Sequence, residues 1–448
     1  MKLQWCSGML LFILYFPSLL YSQKPAARID FEIRGLSNSF LLFGVEYLDR
    51  QVILDTVRLN ASGEGAYESH VRLRPGIYVV SFPNQKYFEL LIEEEQFFSI
   101  YTDTAGIYEN LAIVGAEQPA LFLRYQKLIG EVEKHKSVAD STIRLQNQMR
   151  LKAFKDSVVT HKPSSLLAAY IHLHDLNRSA KAKPRELTQA SFIRQQQERE
   201  KAFMNDFPFN DNRLIHSRLL FEQLSFFFNI FISQHPDTLI ARMDWFLTKA
   251  RQNEEMYKYL LAFFNQNYRH ARTPAYEQVY VYLAENYYLN GKAPWADARF
   301  IALLQKKIEQ LKPSARGAKV ANLQLLLSDE KTVRLYDYSA KNIILFFWDP
   351  DCDICQKAFI QLSEKTQKFP RKDLLVLAIY VHSNKNPWIE FIGKHKNSFV
   401  NAYDPLKKNI LAQTFRIEQV PYFYLLNSDK IIVAKGNTIE SVWGYLNQ

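Results

Sequence analysis

A continuous apolar run near the C-terminal end is the strongest hydrophobic feature of the chain. Residues 343–348 read Ile-Ile-Leu-Phe-Phe-Trp without a polar interruption. A run this short is typical of a strand that is buried on both faces, because a membrane-spanning helix needs about 20 apolar residues. The run stops at Asp349-Pro350, where the chain is expected to turn. The pattern therefore predicts the central strand of a buried sheet.

A helix is predicted directly after this turn. From Cys355 to Leu362 the apolar residues recur at the spacing of one helical face, and Pro370 is placed to end the helix. Cys352 lies three positions before Cys355, so the two thiols are expected side by side on the first turn, close enough to form a disulfide. The free N–H groups and partial positive charge of a helix N-terminus suit a reactive thiol. These features indicate a redox dithiol; a merely structural disulfide is the alternative.

The regions before this strand show two other patterns. From Ala27 to about Gly115 short apolar runs are separated by Gly, Pro and Asn turn signals, which predicts an antiparallel sandwich or barrel. Its strands are expected to begin near Phe31 and to include residues 40–43, 52–59, 70–73, 77–82, 87–92 and 97–101. From about Gln118 to Pro313 the apolar segments are of helical length and rich in Phe and Tyr. They predict helices at 219–232, 239–250, 256–268, 276–288 and 295–311.

The first 22 residues have the pattern of a secretory signal peptide. Lys2 precedes an apolar stretch, and the segment ends in a small residue, Ser22, after which cleavage is expected. An uncleaved membrane anchor is the alternative, although the apolar run is shorter than the roughly 20 residues that span a bilayer. Cys6 lies inside this segment, so the mature chain is expected to keep two cysteines, Cys352 and Cys355. All thiol chemistry is then predicted at one site.

Charge and histidine content exclude other classes of function. The net charge is +10 and the isoelectric point about 9.2, but Lys and Arg are interspersed with Asp and Glu, without a nucleic-acid-binding motif. We therefore expect a solvated basic surface and no nucleic-acid partner. His172 and His174 would point to different sides of a helix, so they make a poor metal pair. No metal and no cofactor are predicted.

The C-terminal part resembles a known family. Val420-Pro421 precedes an apolar strand at 422–426, and the thioredoxin fold carries a cis-proline facing its dithiol at this place. The order of strand, dithiol helix, two strands, a helix from Pro405, Val-Pro, hairpin and final helix fits the same fold. Residues 317–448, with the motif Trp-Asp-Pro-Asp-Cys-x-x-Cys, resemble thioredoxin-like thiol-disulfide oxidoreductases of the TlpA/ResA type from the bacterial envelope.

The regions upstream also resemble parts of such proteins. The phrases at 54–56 and 75–78 are similar to a β-rich N-terminal domain found ahead of TlpA-like domains, and residues 291–295 to an uncharacterised helical domain. We therefore predict a multidomain protein with an antiparallel β domain, an all-α domain and an α/β thioredoxin fold. The expected boundaries are 1–22 for the signal peptide, 23–115 for the β-sandwich-like accessory domain, 116–312 for the helical domain and 313–448 for the thioredoxin-like domain.

The resemblance implies a mechanism and a location. Cys352 would be the exposed nucleophile and Cys355 the resolving thiol, acting on disulfides of exported proteins in the periplasm or cell envelope. Expected partners are cysteine-containing exported proteins and an upstream thiol electron donor. A substrate strand would lie beside Trp348, Pro350, Val420 and Pro421. The alternative is an envelope binding or scaffold protein whose thioredoxin-like domain is redox-inactive or regulatory.

Two departures from the family pattern bear on mechanism. Phe346 stands where thioredoxins keep a buried acid, and residues 356–360 lack the Glu and Pro that usually follow the second cysteine. The usual proton acceptor is therefore not visible in the sequence. Asp349, Asp351 and Asp353 crowd Cys352 with negative charge, which disfavours the reduced, ionised form of the pair. The dithiol is accordingly expected to act as a reductant.

Overall fold

The computed structural model describes residues 24–135, 141–181, 188–270, 273–382, 384–404, 415, 417 and 419–446. The predicted signal peptide, with Cys6, and the helix predicted from Pro405 lie outside these residues. The chain divides into two compact units, Met1–Asp175 with Asp211–Phe221 and Leu176–Asn210 with Glu222–Gln448. In the described part of the chain, no helix has the length and apolar character needed to cross a membrane.

The first unit contains a β-sandwich. Its strands are β1 (Ala27–Arg34), β2 (Phe40–Tyr47), β3 (Arg50–Arg58), β4 (Glu64–Ser69), β5 (Gly76–Ser81), β6 (Tyr87–Ile92), β7 (Phe97–Asp103) and β8 (Ala112–Val114). They form two four-stranded sheets, ordered β4-β1-β7-β8 and β3-β2-β5-β6. Neighbouring strands are antiparallel apart from β1 and β7, which run parallel. Inward side chains of both sheets, such as Phe31 and Phe43, share one buried core, so the predicted β-rich region is confirmed.

The prediction of a strand at residues 70–73 is wrong. The chain pairs earlier, in β4, because the Asn60 side chain accepts N–H groups from Ser62 and Glu64 and closes a tight turn with Gly63 at φ 79°. Residues 70–73 lie outside the sheets, and Val71 is 74% exposed. Apolar and polar residues alternate there as in a strand, but the chain is already leaving the sheet towards Pro75.

The middle of the chain is helical, as predicted. The helices are α1 (Glu117–Lys134), α2 (Ser141–His161), α3 (Leu166–Lys181), α4 (Gln189–Asp206), α5 (Arg218–Phe226), α6 (Pro236–Ala250), α7 (Glu254–Tyr268), α8 (Pro274–Leu283) and α9 (Ala298–Leu311). α5 and α8 each continue into a π-helical turn, Phe227–Phe231 and Ala284–Tyr288. The core of the second unit contains aromatic side chains such as Phe227, which stacks on Phe203 with ring centroids 4.3 Å apart; both are buried.

The C-terminal part of the second unit is an α/β domain. Its elements are β9 (Gln324–Leu327), β10 (Thr332–Arg334), β11 (Asn342–Trp348), α10 (Asp353–Thr366), β12 (Leu374–Tyr380), α11 (Asn386–Lys394), β13 (Val400–Tyr403), β14 (Tyr422–Asn427), β15 (Ile432–Gly436) and α12 (Glu440–Trp443). The strands form one sheet in the order β10-β9-β13-β12-β11-β14-β15. β11 runs parallel to β12 and antiparallel to β14.

Strand β11 is buried on both faces, which confirms the first prediction from the sequence. Ile344, Phe346 and Trp348 point into the core that α10 covers. The alternate residues Ile343, Leu345 and Phe347 point into a second core on the opposite face. Because successive side chains of a strand point to opposite sides, only a run without polar residues can fill both cores.

The helical segment of the second unit contacts the α/β domain through polar side chains. Lys435 on β15 donates to Glu277 of α8 at 2.5 Å, and these side chains are only 6% and 15% exposed. Arg316 forms an ion pair with Asp237 of α6 at 3.1 Å. Isolated buried charges are costly, so the Lys435–Glu277 pair fixes these two elements to each other.

We expect Phe346→Ala to weaken the α/β domain. Phe346 is fully buried and stacks on Phe423 with ring centroids 4.7 Å apart. Removing a buried phenyl ring costs about 3–5 kcal/mol, so the amides of β11 should exchange hydrogen correspondingly faster in the intact chain. Phe346→Leu, which keeps most of the volume, should cost less than about 1.5 kcal/mol. Equal exchange in both variants and the parent protein would contradict the packing described here.

Candidate active site

Buried side chains at the end of β11 anchor the loop that follows this strand. Trp348 is fully buried and packs on Phe359 of α10, with ring centroids 4.6 Å apart. Pro350 is also buried, and its carbonyl accepts a hydrogen bond from the Gln356 side chain at 2.7 Å. The sequence-based expectation that Trp348 and Pro350 contact a substrate differs from this arrangement. Both side chains face the protein interior, where they shape the loop.

Cys352 is the N-cap residue of α10. Its backbone is extended, with φ −106° and ψ 112°, and its Sγ accepts the N–H of Cys355 at 3.2 Å. The thiol is half-buried, so a partner molecule can reach it. A sulfur at an N-cap faces the partial positive charge of the helix terminus, which suits a nucleophile. The structure thus places Cys352 where the sequence predicted the reactive thiol, one position before the helix proper.

Cys355 lies behind Cys352 in the protein core. Its side chain is fully buried, one turn into α10 and against the core of the sheet. Burial, followed by the hydrogen bond with Cys352, raises the pKa of the Cys355 thiol to about 12. The carboxylate of Asp349 raises this pKa further, while the backbone N–H of Asp349 opposes the shift by hydrogen bonding to the sulfur. The two thiols therefore have different access and different acidity.

The Val420-Pro421 segment faces the dithiol. The peptide bond between these residues is cis, as the sequence resemblance predicts. The Val420 carbonyl oxygen lies 4.0 Å from Cys352 Sγ, while Pro421 is buried at the start of β14. Val420, one of the residues expected to lie beside a substrate, is therefore next to the sulfur of Cys352.

A carboxylate–imidazole pair lies at the same edge of the sheet. Asp349 Oδ2 is 2.8 Å from His382 Nε2, and Asp349 Oδ1 accepts the N–H of Asp351 at 3.0 Å. The Asp349 side chain is 15% exposed and that of His382 51%. Trp348 pairs with Tyr380 in the parallel β11–β12 ladder, so the residues that follow each strand meet at one edge. His382 was not among the predicted site residues; the signal in the sequence that could have identified it is its position directly after the apolar run at 374–381.

No metal centre is apparent at this site. Within the ranges that the structure describes, no three His, Cys, Asp or Glu side chains are grouped in a way that could hold a metal ion.

Comparisons with known proteins concern mainly this C-terminal region. Residues 316–435 match the AhpC/TSA family. The thiol-disulfide oxidoreductase ResA of Bacillus cereus is 24% identical over 135 residues, which is 30% of this chain and 77% of the relative. ResA of Oceanobacillus iheyensis is 24% identical over 122 residues, 27% of this chain and 62% of the relative.

The C-terminal domain is thioredoxin-like and is similar to thiol-disulfide oxidoreductases of the TlpA/ResA type.

Two solved structures are also similar to the chain. A thioredoxin-like protein from Bacteroides caccae is 17% identical, covers 60% of this chain and 98% of its own, and has a TM-score of 0.40. A domain of a possible thiol-disulfide isomerase from Cytophaga hutchinsonii is 31% identical, covers 30% of this chain and 93% of its own, and has a TM-score of 0.29. The relatives of the thioredoxin-like domain named as oxidoreductases indicate a redox enzyme.

We expect iodoacetamide to label Cys352 long before Cys355 in the reduced protein. With a pKa of about 12, Cys355 is about one ten-thousandth ionised near pH 8, and its side chain is buried. Because only the thiolate reacts, Cys355 labelling should also rise about tenfold for each pH unit below that pKa. Mass spectrometry of the two alkylated positions over time measures both rates. Equal rates at neutral pH would contradict the asymmetry of the site.

Proposed function

We propose that this protein is an exported thiol-disulfide oxidoreductase that reduces disulfides of envelope proteins. The observation that carries the proposal is the pairing of a half-exposed thiol at a helix N-cap with a fully buried thiol three residues later. This arrangement suits a reaction in which one sulfur meets the substrate and the other completes the exchange.

The reaction proceeds in two displacements. Cys352 Sγ, as a thiolate, attacks a substrate disulfide, forms a mixed disulfide and releases the first substrate sulfur as a thiolate that takes up a proton. Cys355 Sγ then loses its proton and attacks Cys352 Sγ, which releases the second substrate thiol and leaves a Cys352–Cys355 disulfide. The substrate gains two electrons and the dithiol loses them. An upstream thiol donor then restores the reduced pair.

The electrostatics around Cys352 support the direction. Asp351 and Asp353 are exposed on either side of Cys352, and Asp349 lies three positions before it, while Lys357 lies five positions after it in α10. Negative charge at this place makes the reduced pair less stable and its electrons easier to give away. We therefore propose that the dithiol works as a reductant.

Location and domain roles follow from the sequence. The segment 1–22 would direct the chain across the membrane, so that the mature protein works in the periplasm or cell envelope. Its partners would be exported proteins with cysteines and a thiol donor. The regions 23–115 and 116–312 would serve as interaction or spacer modules ahead of the thioredoxin-like domain at 313–448.

We expect Cys355→Ser to trap the substrates. Expressed with residues 1–22 in the periplasm of a bacterial host, this variant should hold partner proteins in mixed disulfides on Cys352, because the second displacement is lost. The intact chain should catalyse reduction of insulin or glutathione mixed disulfides, and Cys352→Ser should do neither. Mass spectrometry identifies the trapped proteins. If the intact chain does not accelerate reduction of these disulfides and the variant traps no protein, the results favour the rival function, an envelope scaffold with a redox-inactive domain.

The reduction potential should lie nearer that of thioredoxin, about −270 mV, than that of the strong periplasmic oxidant, about −120 mV. Asp353→His removes one negative charge beside Cys352 and should raise the potential, by about 30 mV for each unit of thiol pKa difference. Glu364→His, the same change at an exposed position further along α10, serves as the control and should shift it less. Redox titration against glutathione measures all three; a potential near −120 mV would contradict the proposed direction.

A further inference from the structure

The second displacement requires a proton to leave the protein core. Cys355 is fully buried, and burial holds its pKa far above neutral, so the thiol keeps its proton at physiological pH. A buried thiol cannot pass this proton directly to solvent, and only the thiolate is nucleophilic. A group near Cys355 has to accept the proton while the mixed disulfide on Cys352 is being resolved.

Asp349 is the carboxylate placed for this transfer. The carbonyl of Asp349 accepts the N–H of Cys352 at 3.2 Å, and Cys352 Sγ in turn accepts the N–H of Cys355 at 3.2 Å. Asp349 is thus hydrogen-bonded directly to the first cysteine, and its negative charge raises the pKa of the Cys355 thiol. With 15% of its side chain exposed, the carboxylate is close to the core without being sealed in it.

His382 connects this carboxylate to solvent. Its Nε2 is 2.8 Å from Asp349 Oδ2, and half of its side chain is exposed. The imidazole ring also packs at an angle against Tyr380, with ring centroids 5.9 Å apart, so it stays over the end of β12. An imidazole can take a proton on one nitrogen and release it from the other, which is the property that a shuttle between a carboxylate and water needs.

We infer that Asp349 and His382 form the proton relay of Cys355, with the Asp349 carboxylate as acceptor, directly or through one water, and His382 as the exit to solvent. The inference rests on the proposed function, because it assigns a step of that reaction. The titratable groups next to the relay are Tyr380 at the end of β12, the cysteines Cys352 and Cys355, and Asp351, whose N–H donates to Asp349. Asp353 follows at the start of α10.

The step balances in atoms and charge. The S–H bond of Cys355 breaks, and its proton moves to Asp349 and then through His382 to water. The electron pair left on Cys355 Sγ forms the bond to Cys352 Sγ. The bond between Cys352 Sγ and the substrate sulfur breaks, and the leaving thiolate takes up a proton from solvent. No oxidant other than the mixed disulfide is needed.

The test uses the intact reduced protein and one equivalent of an aromatic disulfide whose released thiol is coloured. The first release, by Cys352, depends on the reagent concentration; the second, by Cys355, is intramolecular and does not. Cys355→Ser assigns the phases, because it should show only the first. This measurement needs no protein substrate, so it reports on the relay even if the trapping experiment fails to support the proposed function.

We expect Asp349→Asn and His382→Gln to slow the second phase about a hundredfold near neutral pH, which is the low end of the range for lost acid–base catalysis. The first phase should change less than about threefold, since it needs no proton from Cys355. In Asp349→Asn the second phase should also become proportional to hydroxide concentration, rising about tenfold per pH unit, while the parent protein should depend on pH more weakly.

The matched control is Glu330→Gln. Glu330 also pairs with a side chain from the segment after β12, that of Lys385, but it is exposed and lies in the turn between β9 and β10. Both phases should be unchanged in this variant. A second phase with parent-like rate and pH profile in both relay variants would overturn the inference. Equal slowing of both phases would also overturn the inference, because that result indicates a disturbed loop and not a lost proton acceptor. If Asp349→Asn does not fold, the result for His382→Gln decides between these outcomes.

Discussion

Burial of strand β11 on both of its faces is the constraint on which the dithiol site depends. The strand pairs with β12 on one side and β14 on the other, and its side chains fill two separate cores. Its end is therefore fixed in space, and the chain must turn there over buried Trp348. This turn places Cys352 at the N-cap of α10. The pairing of β11 with β14 places Val420, just before β14, next to Cys352 Sγ.

Much of this arrangement could be predicted from the sequence because local patterns determine it. An unbroken apolar run of strand length predicts burial on both faces, and a helical face that begins at Cys355 places two thiols on one turn. The position of Val420-Pro421 before an apolar strand indicated the element that faces them. Turn signals and helical spacing likewise predicted the β-rich and helical regions, although not which residues each sheet would include.

What the sequence could not predict depends on register and on solvent exposure. His382 reaches Asp349 because β11 and β12 pair with Trp348 opposite Tyr380, and no local pattern specifies that alignment. Trp348 was expected beside a substrate because the motif does not specify the direction of its side chain; the alternation of β11 turns its ring inward. The stretch at 70–73 alternates like a strand but lies outside the sheets, since the Asn60 turn starts the pairing earlier.

The Lys435–Glu277 pair has a consequence for how the chain can be divided. Lys435 lies on β15, the outermost strand of its sheet, and Glu277 belongs to α8. A fragment cut at residue 313 would lose Glu277, so Lys435 would no longer have this carboxylate as its partner. A buried cation without its partner is costly. A fragment that keeps the pair would have to begin before α8.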